Sequence, residues 1–382
     1  MNRQSFLRAS ALNLAAIAFG GRSWAAGSTA DSATKQRLGA AWRREVSGTG
    51  STQDFVGVIA LDWDSKTVHI QSEHTVPSRA HGVLSEATGG FLVMAARPGT
   101  WLRRLSADGQ VLQHLDIQNE RPARTLDGHI VASADAQWLY TPETDQKTGE
   151  GWISVRDVRT LVKQGEWRTH GCDPHQCLMD ASGALLLVNG GILRAADGKK
   201  RDLDQMNSSL VRLDGRSGEL LGKWKLTDHR LSMRHMAWSG EVKPFRLGIA
   251  LQAEHDDINQ RRAAPVLAVW DGSNLSIPSR DSTAGGYAGD ITPGPDGGFV
   301  LSAQRVGKGV LWHPDAPEQL FSIAELKEMC ALASPTGAGR DGALIGSERG
   351  VARWHPREAP AMLIWPAAMT LDNHWVVLSS SL

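Results

Sequence analysis

Seven positions in this chain each open an apolar stretch, and they recur at a restricted interval. Five are histidines: His81 in Arg79-Ala80-His81-Gly82-Val83, His129 in Asp127-Gly128-His129-Ile130-Val131, His175 in Asp173-Pro174-His175, His235 in Arg234-His235-Met236-Ala237-Trp238, and His374 in Asp372-Asn373-His374-Trp375-Val376. Two matching places carry another residue, Asp290 in Gly289-Asp290-Ile291 and Cys330 in Met329-Cys330-Ala331. The spacings are 48, 46, 60, 55, 40 and 44 residues. Each interval holds short strand-type runs divided by turn residues. Between the first two marks these are Gly82 to Leu84, Phe91 to Ala95, Trp101 to Leu105 and Val111 to Leu115, parted by Gly89-Gly90, Pro98-Gly99 and Asp108-Gly109. Such patterning reads as strands and tight turns. Units of this size cannot bury their apolar faces alone, so they must stack on one another.

Four short strands per unit predict a β-propeller. Seven marks predict seven blades. The C-terminal run His374 to Leu378 has no strands after it. The N-terminal runs Phe55 to Leu61 and Thr67 to Gln71 have no mark before them. Together they complete one blade and leave no sheet edge open. The expected fold is therefore an all-β, seven-bladed propeller over 54–382, closed by pairing of the C-terminal strand with N-terminal strands. Residues 26–53 are polar and rich in Ala, Gly and Ser, and read as a linker with a helical turn near Lys35 to Arg43. Ile323 to Met329 reads as a short loop helix, and Leu193 to Asn207 as an insert that lengthens one spacing.

The N-terminus has the layout of an export signal over 1–25. Arg3 and Arg8 flank Phe6-Leu7, a short apolar run follows to Gly20, and Ser23-Trp24-Ala25 is a small-x-small cleavage site. Arg3-Gln4 resembles a twin-arginine signal with Gln4 in place of the second arginine, so twin-arginine and general secretion both stand as routes. The apolar run is too short to span a bilayer. A periplasmic mature chain without a membrane span is expected. Lys+Arg and Asp+Glu both total 41, which gives no basic face and argues against nucleic acid as a partner. The 14 Trp against 2 Tyr and 7 Phe read as filler between packed sheets. In an oxidising compartment, Cys172 and Cys177 are expected to form a local disulfide and leave Cys330 free.

In a propeller the innermost strands run along the central channel. Residues that start them share one mouth, and the ends of the second strands return to it. An inner ring of His81, His129, His175, His235, His374, Asp290 and Cys330 is therefore expected. Arg97, Glu143, Asn189, Gln252, Gln304 and Glu348 form an outer ring. Clustered imidazoles suit iron, copper or zinc, and near neutral pH they are ready to ligate. Oxygen atoms of Glu143 and Asn189 add ligands or orient the rings. The competing reading makes each polar residue a hydrogen-bonding partner of the next blade, and Cys330 a small core residue. No nucleophile elbow, phosphate loop, dinucleotide fingerprint or H-E-x-x-H is present.

Several segments together resemble the DUF1513 family of exported bacterial propeller proteins. They include Ala96-Arg97-Pro98-Gly99-Thr100, Tyr140-Thr141-Pro142-Glu143, Asp173-Pro174-His175, Val188-Asn189-Gly190-Gly191-Ile192 and Ser232-Met233-Arg234-His235. The chain departs from the family's G-x-G-P-H-E at Cys172, Gln176 and Cys177. The resemblance implies a role around iron, beside imelysin-type iron-uptake proteins and c-type haem proteins of the periplasm. The function expected is transition-metal binding at a His-lined mouth, iron foremost and copper or zinc next, in iron acquisition or handling. Two alternatives stand beside it. One is a lactonase-like hydrolase holding calcium through Glu143, Asn189, Gln252 and Glu348. The other is a scaffold that docks a partner protein.

Overall fold

The computed structural model describes residues 34–46, 50–195, 198–240, 243–335 and 342–378. The expected export signal lies outside them. Seven antiparallel sheets of four strands or more are arranged as a propeller. Blade 1 runs outward through Ala80–Ser85, Phe91–Ala95, Trp101–Leu105 and Val111–Asp116. Blade 2 has an interrupted inner strand, Thr125–Leu126 and Val131–Ala132, followed by Trp138–Thr144, Glu150–Asp157 and Lys163–Cys172. Blade 3 is Pro174–Met179, Leu185–Asn189, Ser209–Leu213 and Leu220–Trp224, and blade 4 is Leu231–Trp238, Leu247–Ala253, Leu267–Trp270 and Leu275–Ser276. Blade 5 is Ile291–Pro293, Phe299–Ala303, Lys308–Trp312 and Leu320–Glu325. Blade 6 is Leu332–Ala333, Ala343–Gly346, Gly350–Trp354 and Ala361–Ile364.

Blade 7 closes the ring. Its inner strand is the C-terminal Thr370–Leu378, which pairs with Lys35–Glu45, then Thr52–Asp62, then Thr67–Thr75. The expected linker is thus corrected. Lys35–Glu45 is a full strand, with Arg37 opposite Leu378 and Trp42 opposite Phe55. Its burial runs through Leu38, Ala40, Ala41 and Trp42, and small residues among larger ones hid that from a periodicity reading. The C-terminal strand therefore pairs with a strand that begins at Lys35, not directly with Phe55 to Leu61. The expected helix at Ile323 to Met329 is also corrected, because Leu320–Glu325 is the outer strand of blade 5. The insert after blade 3's second strand forms a small hairpin, Leu193–Arg194 with Lys200–Arg201.

Packing explains the closure. Seven apolar clusters occur among the described residues, one at each contact between neighbouring blades. One joins blades 6 and 7 through Leu344, Val351, Leu38, Trp42 and Trp375. Another joins blades 7 and 1 through Val56, Val58, Phe91 and Val93. Each large apolar side chain buried in this way contributes about 1.5–3 kcal/mol. Tryptophans fill the gaps as expected: Trp312 stacks on Phe299 at 5.7 Å, and Trp375 meets Trp365 edge-on at 6.4 Å.

The cysteine expectation is corrected as well. All three cysteines are free thiols. Cys172 ends blade 2's outer strand, whereas Cys177 belongs to blade 3's inner strand and packs into the cluster between those blades. Between the two residues the chain changes blades, so the short spacing does not bring the sulfurs together. Cys330 lies in the apolar cluster between blades 6 and 7, and burial pushes its thiol up to about 12.

Two outcomes follow from this architecture. Ending the chain at Asp372 removes the strand that carries Trp375 and Leu378, and should lower the melting temperature by about 10 °C or more. An unchanged melting curve would show that closure does not depend on that strand. Thiol titration of denatured, unreduced protein should count three reactive thiols per chain; a count of one would restore the Cys172–Cys177 disulfide.

Candidate metal centre

All five mark histidines lie in irregularities of innermost strands. Ala80 pairs with Ala95 and Val83 with Val93, so His81 and Gly82 face a single residue of the second strand. The same surplus holds Gln176 and His175 between Pro174 and Cys177, and Arg234 and His235 between Met233 and Met236. In blade 7 three residues, Asp372 to His374, lie opposite one. In blade 2 the four residues Asp127 to Ile130 interrupt the inner strand opposite two. A bulge bends its strand and re-aims a side chain. The histidines therefore sit in bulges rather than simply at strand starts, and the bulges turn them into the channel. Glycine is required at the closest approach. A Cβ on Gly82 would lie 2.2 Å from the carbonyl oxygen of Gly128, and Gly128 itself has φ +95° with His81 against it.

The rings converge. Centroids are 4.9 Å apart for His81 and His129, 4.6 Å for His81 and His374, 4.4 Å for His235 and His374, and 4.6 Å for His175 and His235. His81, His129, His235 and His374 can each direct one nitrogen so that all four lie within 4.8 Å of one another. Nitrogens bound at 2.0–2.1 Å to one ion lie about 2.9–3.4 Å apart at neighbouring positions. The Nε2 atoms of His235 and His374 are 3.0 Å apart, inside that range.

Two carboxylates lie against this set. His81 Nδ1 is 2.8 Å from Asp372 Oδ1, and His374 Nδ1 is 3.3 Å from Asp290 Oδ1. Donation from His81 Nδ1 to Asp372 leaves its Nε2 with a lone pair for a ligand, the arrangement typical of metal-bound histidine, while Asp290 stands beside His374 as a charge without a hydrogen bond to it. Asp290 is held by the backbone N–H groups of Ile291 and Leu332. His129 Nε2 is buried with no hydrogen-bond partner among the described residues. A buried orphan nitrogen is costly unless something binds it.

His175 stands apart for a chemical reason. Its Nδ1 contacts Arg97 Nη2, and guanidinium only donates. The His175 proton is then on Nε2, which lies 2.8 Å from His235 Nε2 and can donate to it only while no ion occupies that nitrogen's single lone pair. His175 braces His235, and its protonated Nε2 is not a ligand in this arrangement.

Burial sets the protonation. It pushes His81 down to about 4 against the raising effect of Asp372, and pushes His129, His175 and His235 well below their ordinary range, helped by neighbouring positive groups. These rings are neutral at pH 7. Burial works to raise the Asp372 carboxyl, but the hydrogen bond from His81 and the charge of Arg79 outweigh it and hold it low. The Asp372 carboxylate is therefore charged and ready to orient His81.

The structure places the other expected ligands elsewhere. Glu143 is fully buried against Arg156 at 2.7 Å and accepts from Thr141. Asn189 donates to the Thr169 carbonyl at 2.9 Å and to Ser209. Cys330 packs in the core. Gln252 bonds the Ala288 carbonyl, and Gln304 and Glu348 pair with Glu328 and Lys327 at exposed positions. His255 is held by Asp228, and His313 and His355 are buried beside Asp315 and Glu358. Asp372 was missed as an orienting residue. The signal was present, since Asp-x-His recurs at 127–129, 173–175 and 372–374. Replacing Glu143 with Ala should destabilise the fold by at least about 2 kcal/mol in urea unfolding while leaving metal uptake unchanged, because its work is to pair a buried guanidinium. Loss of metal uptake in a folded Glu143→Ala protein would return Glu143 to the ligand set.

The architecture has relatives of known structure. Virginiamycin B lyase from Staphylococcus aureus superposes with a TM-score of 0.53 at 11% identity, over 75% of this chain and 85% of that one. A catalytically inactive variant of that lyase with quinupristin gives 0.51 at 13% identity, over 75% and 84%. U3-55K gives 0.51 at 11% identity, over 74% and 79%. At such identities the likeness concerns the fold. No curated protein matches the chain in sequence. The sequence model described as "Protein of unknown function (DUF1513)" matches residues 74–378, from just before the first histidine bulge to the end of the closing strand, and the chain belongs to that family.

Proposed function

We propose that this propeller binds one transition-metal ion at the channel mouth through His81, His129, His235 and His374, and serves in handling that ion. The observation that carries the reading is the convergence of four imidazoles from four blades, with His81 hydrogen-bonded to Asp372 and His374 lying 3.3 Å from Asp290. Nitrogen donors of this kind suit iron, copper and zinc. Iron is the ion the family resemblance favours, and an acquisition role in the periplasm follows from the same source. Such a role calls for a partner that delivers or receives the ion; imelysin-type and c-type haem proteins are the partners the resemblance implies. The calcium-holding, lactonase-like reading is weaker here, because Glu143, Asn189, Gln252 and Glu348 are each engaged away from the histidines. Elemental analysis of protein isolated from its own compartment tests the identity of the ion.

Metal titration tests the ligand set. His129→Ala and His374→Ala should each weaken binding at least about tenfold, and their double variant should add less than the sum, because the ligands act on one ion. His175→Ala should weaken binding less than either. Equal affinity in all these proteins would sink the reading.

The pH dependence has a definite sign. An unfolded histidine takes up its proton near 6.5, whereas folded His81 resists until about 4. The metal-free protein should therefore lose stability as pH falls from about 6.5 to 4, by about 3 kcal/mol for a shift of that size. His129→Leu should show a shallower loss in urea unfolding across that window. Metal binding should persist below pH 6 and fail nearer 4. Binding lost already between pH 7 and 6 would contradict the neutral, buried ring.

A further inference from the structure

Next to the histidines lies a second concentration of charge with a cavity above it. Asp173, two residues before His175, is surrounded by three arginines. Arg97 Nη1 contacts its Oδ1, Arg194 Nε donates to Oδ1 at 3.1 Å, and Arg234 Nη1 stands 2.8 Å from Oδ2 as an ion pair too bent for a hydrogen bond. The three come from different elements. Arg97 follows blade 1's second strand, Arg234 lies in blade 4's inner bulge, and Arg194 comes from the inserted hairpin of blade 3. Gly190 is required beneath them, since a Cβ there would meet Asp173 at 2.5 Å and Arg234 at 2.7 Å.

A cavity of about 80 Å³ opens between the hairpin and the loops of blades 1 and 2, and Arg97, Arg194, Asp173 and Asp127 line it. Its other charges cancel locally. Asp145 is paired with Arg124, which also meets Glu166, itself paired with Lys163; Lys200 on the hairpin is paired with Glu254. What remains is Arg97 and Arg194 in the lining and Arg234 behind Asp173, three guanidinium groups against Asp173 and Asp127. With both carboxylates ionised, one positive charge is still uncompensated. The Arg234 side chain is only 3% exposed and the Arg97 side chain 17%. Arg234 Nε is buried with no partner among the described residues. A desolvated, unbalanced guanidinium cluster is costly unless a counter-charge joins it. Carboxylate and phosphate match the guanidinium fork in shape as well as sign.

We propose that this cavity is an oxyanion site that takes a small ligand bearing a carboxylate or phosphate group, with Arg194 of the inserted hairpin as its contact from above and Arg97 from the side. The site adjoins the metal centre through Arg97, which touches both Asp173 and His175. It does not depend on a bound ion.

The test uses the full chain after treatment with a chelator. Inorganic phosphate and malonate are titrated calorimetrically at low ionic strength, with chloride of matched ionic strength as control. Wild type should bind one anion per chain saturably. Arg194→Gln should bind at least about tenfold more weakly, while Arg194→Lys, which keeps the charge, should fall between the two. Phosphate alone or malonate alone as ligand would each support the site and tell which oxyanion it prefers. No saturable binding of either anion by wild type would overturn the proposal. So would equal affinity in Arg194→Gln of unchanged circular dichroism. If Arg194→Gln does not fold, the wild-type titration and Arg194→Lys still decide. Because metal is absent throughout, failure here leaves the metal reading standing, and success here does not establish it.

Discussion

Everything at the channel mouth depends on the antiparallel pairing of Thr370–Leu378 with Lys35–Glu45. A propeller sheet that fails to close leaves one blade with an open edge and lets the ring splay. Closure from the two chain ends seats blade 7 between blades 6 and 1, where apolar clusters form on both sides of it. The same strand carries His374 and Asp372. The His374 ring faces His81, His129 and His235, and Asp372 reaches across the seam to His81. The closing strand is thus also part of the site. Its packing holds the ring shut, and its bulge supplies one imidazole and the carboxylate that orients another.

The bulges are the second constraint. A regular inner strand alternates its side chains between faces and cannot place its charged neighbours and its histidine together at the channel. The extra residue breaks that alternation locally. It costs ladder hydrogen bonds, and in blade 7 the neighbouring carboxylate takes up part of the loss. Asp372 Oδ1 accepts from the backbone of Asn373. Blades 5 and 6 lack the device. Their inner strands are only Ile291–Pro293 and Leu332–Ala333, and the residues at the marks are Asp290 and Cys330. One is a carboxylate beside His374, and the other has joined the core. The ring is therefore asymmetric, with imidazoles on five blades, a carboxylate on blade 5 and only a core thiol on blade 6.

Much of this was legible before any coordinates. The seven-fold mark, the blade count and the convergence of the histidines all follow from spacing, because closed repeats impose one axis on equivalent positions. What escaped was whatever depends on pairing between distant segments. Lys35–Glu45 has no alternating pattern, since both its faces are buried between sheets, and its small residues resemble a linker. Glu143 and Asn189 sit at the right register, but Arg156 and the Thr169 carbonyl claim them, and neither partner can be inferred from a strand pattern. The five-residue step from Cys172 to Cys177 looked like a staple because sequence distance does not reveal a change of blade.

Arg97 ties these levels together. It sits where the second strand of blade 1 returns to the mouth, the place from which an outer ring was expected to support the histidines. Its support differs from that of a carboxylate. A carboxylate on Nδ1 takes the proton there and frees Nε2 for a ligand, as Asp372 does for His81. A guanidinium on Nδ1 forces the proton to Nε2, which turns His175 from a ligand into a donor. Identical residues in equivalent bulges thus acquire opposite chemistry from the charge of one neighbour. The same arginine needs Asp173 to offset its charge, and Asp173 in turn gathers Arg194 and Arg234. Burial acts to raise that carboxyl, yet the three guanidinium groups hold it down to about 2. The departure of His175 from the ligand set and the concentration of positive charge beside it are therefore two consequences of one residue, and the mouth is divided into a neutral nitrogen-rich half and a cationic half.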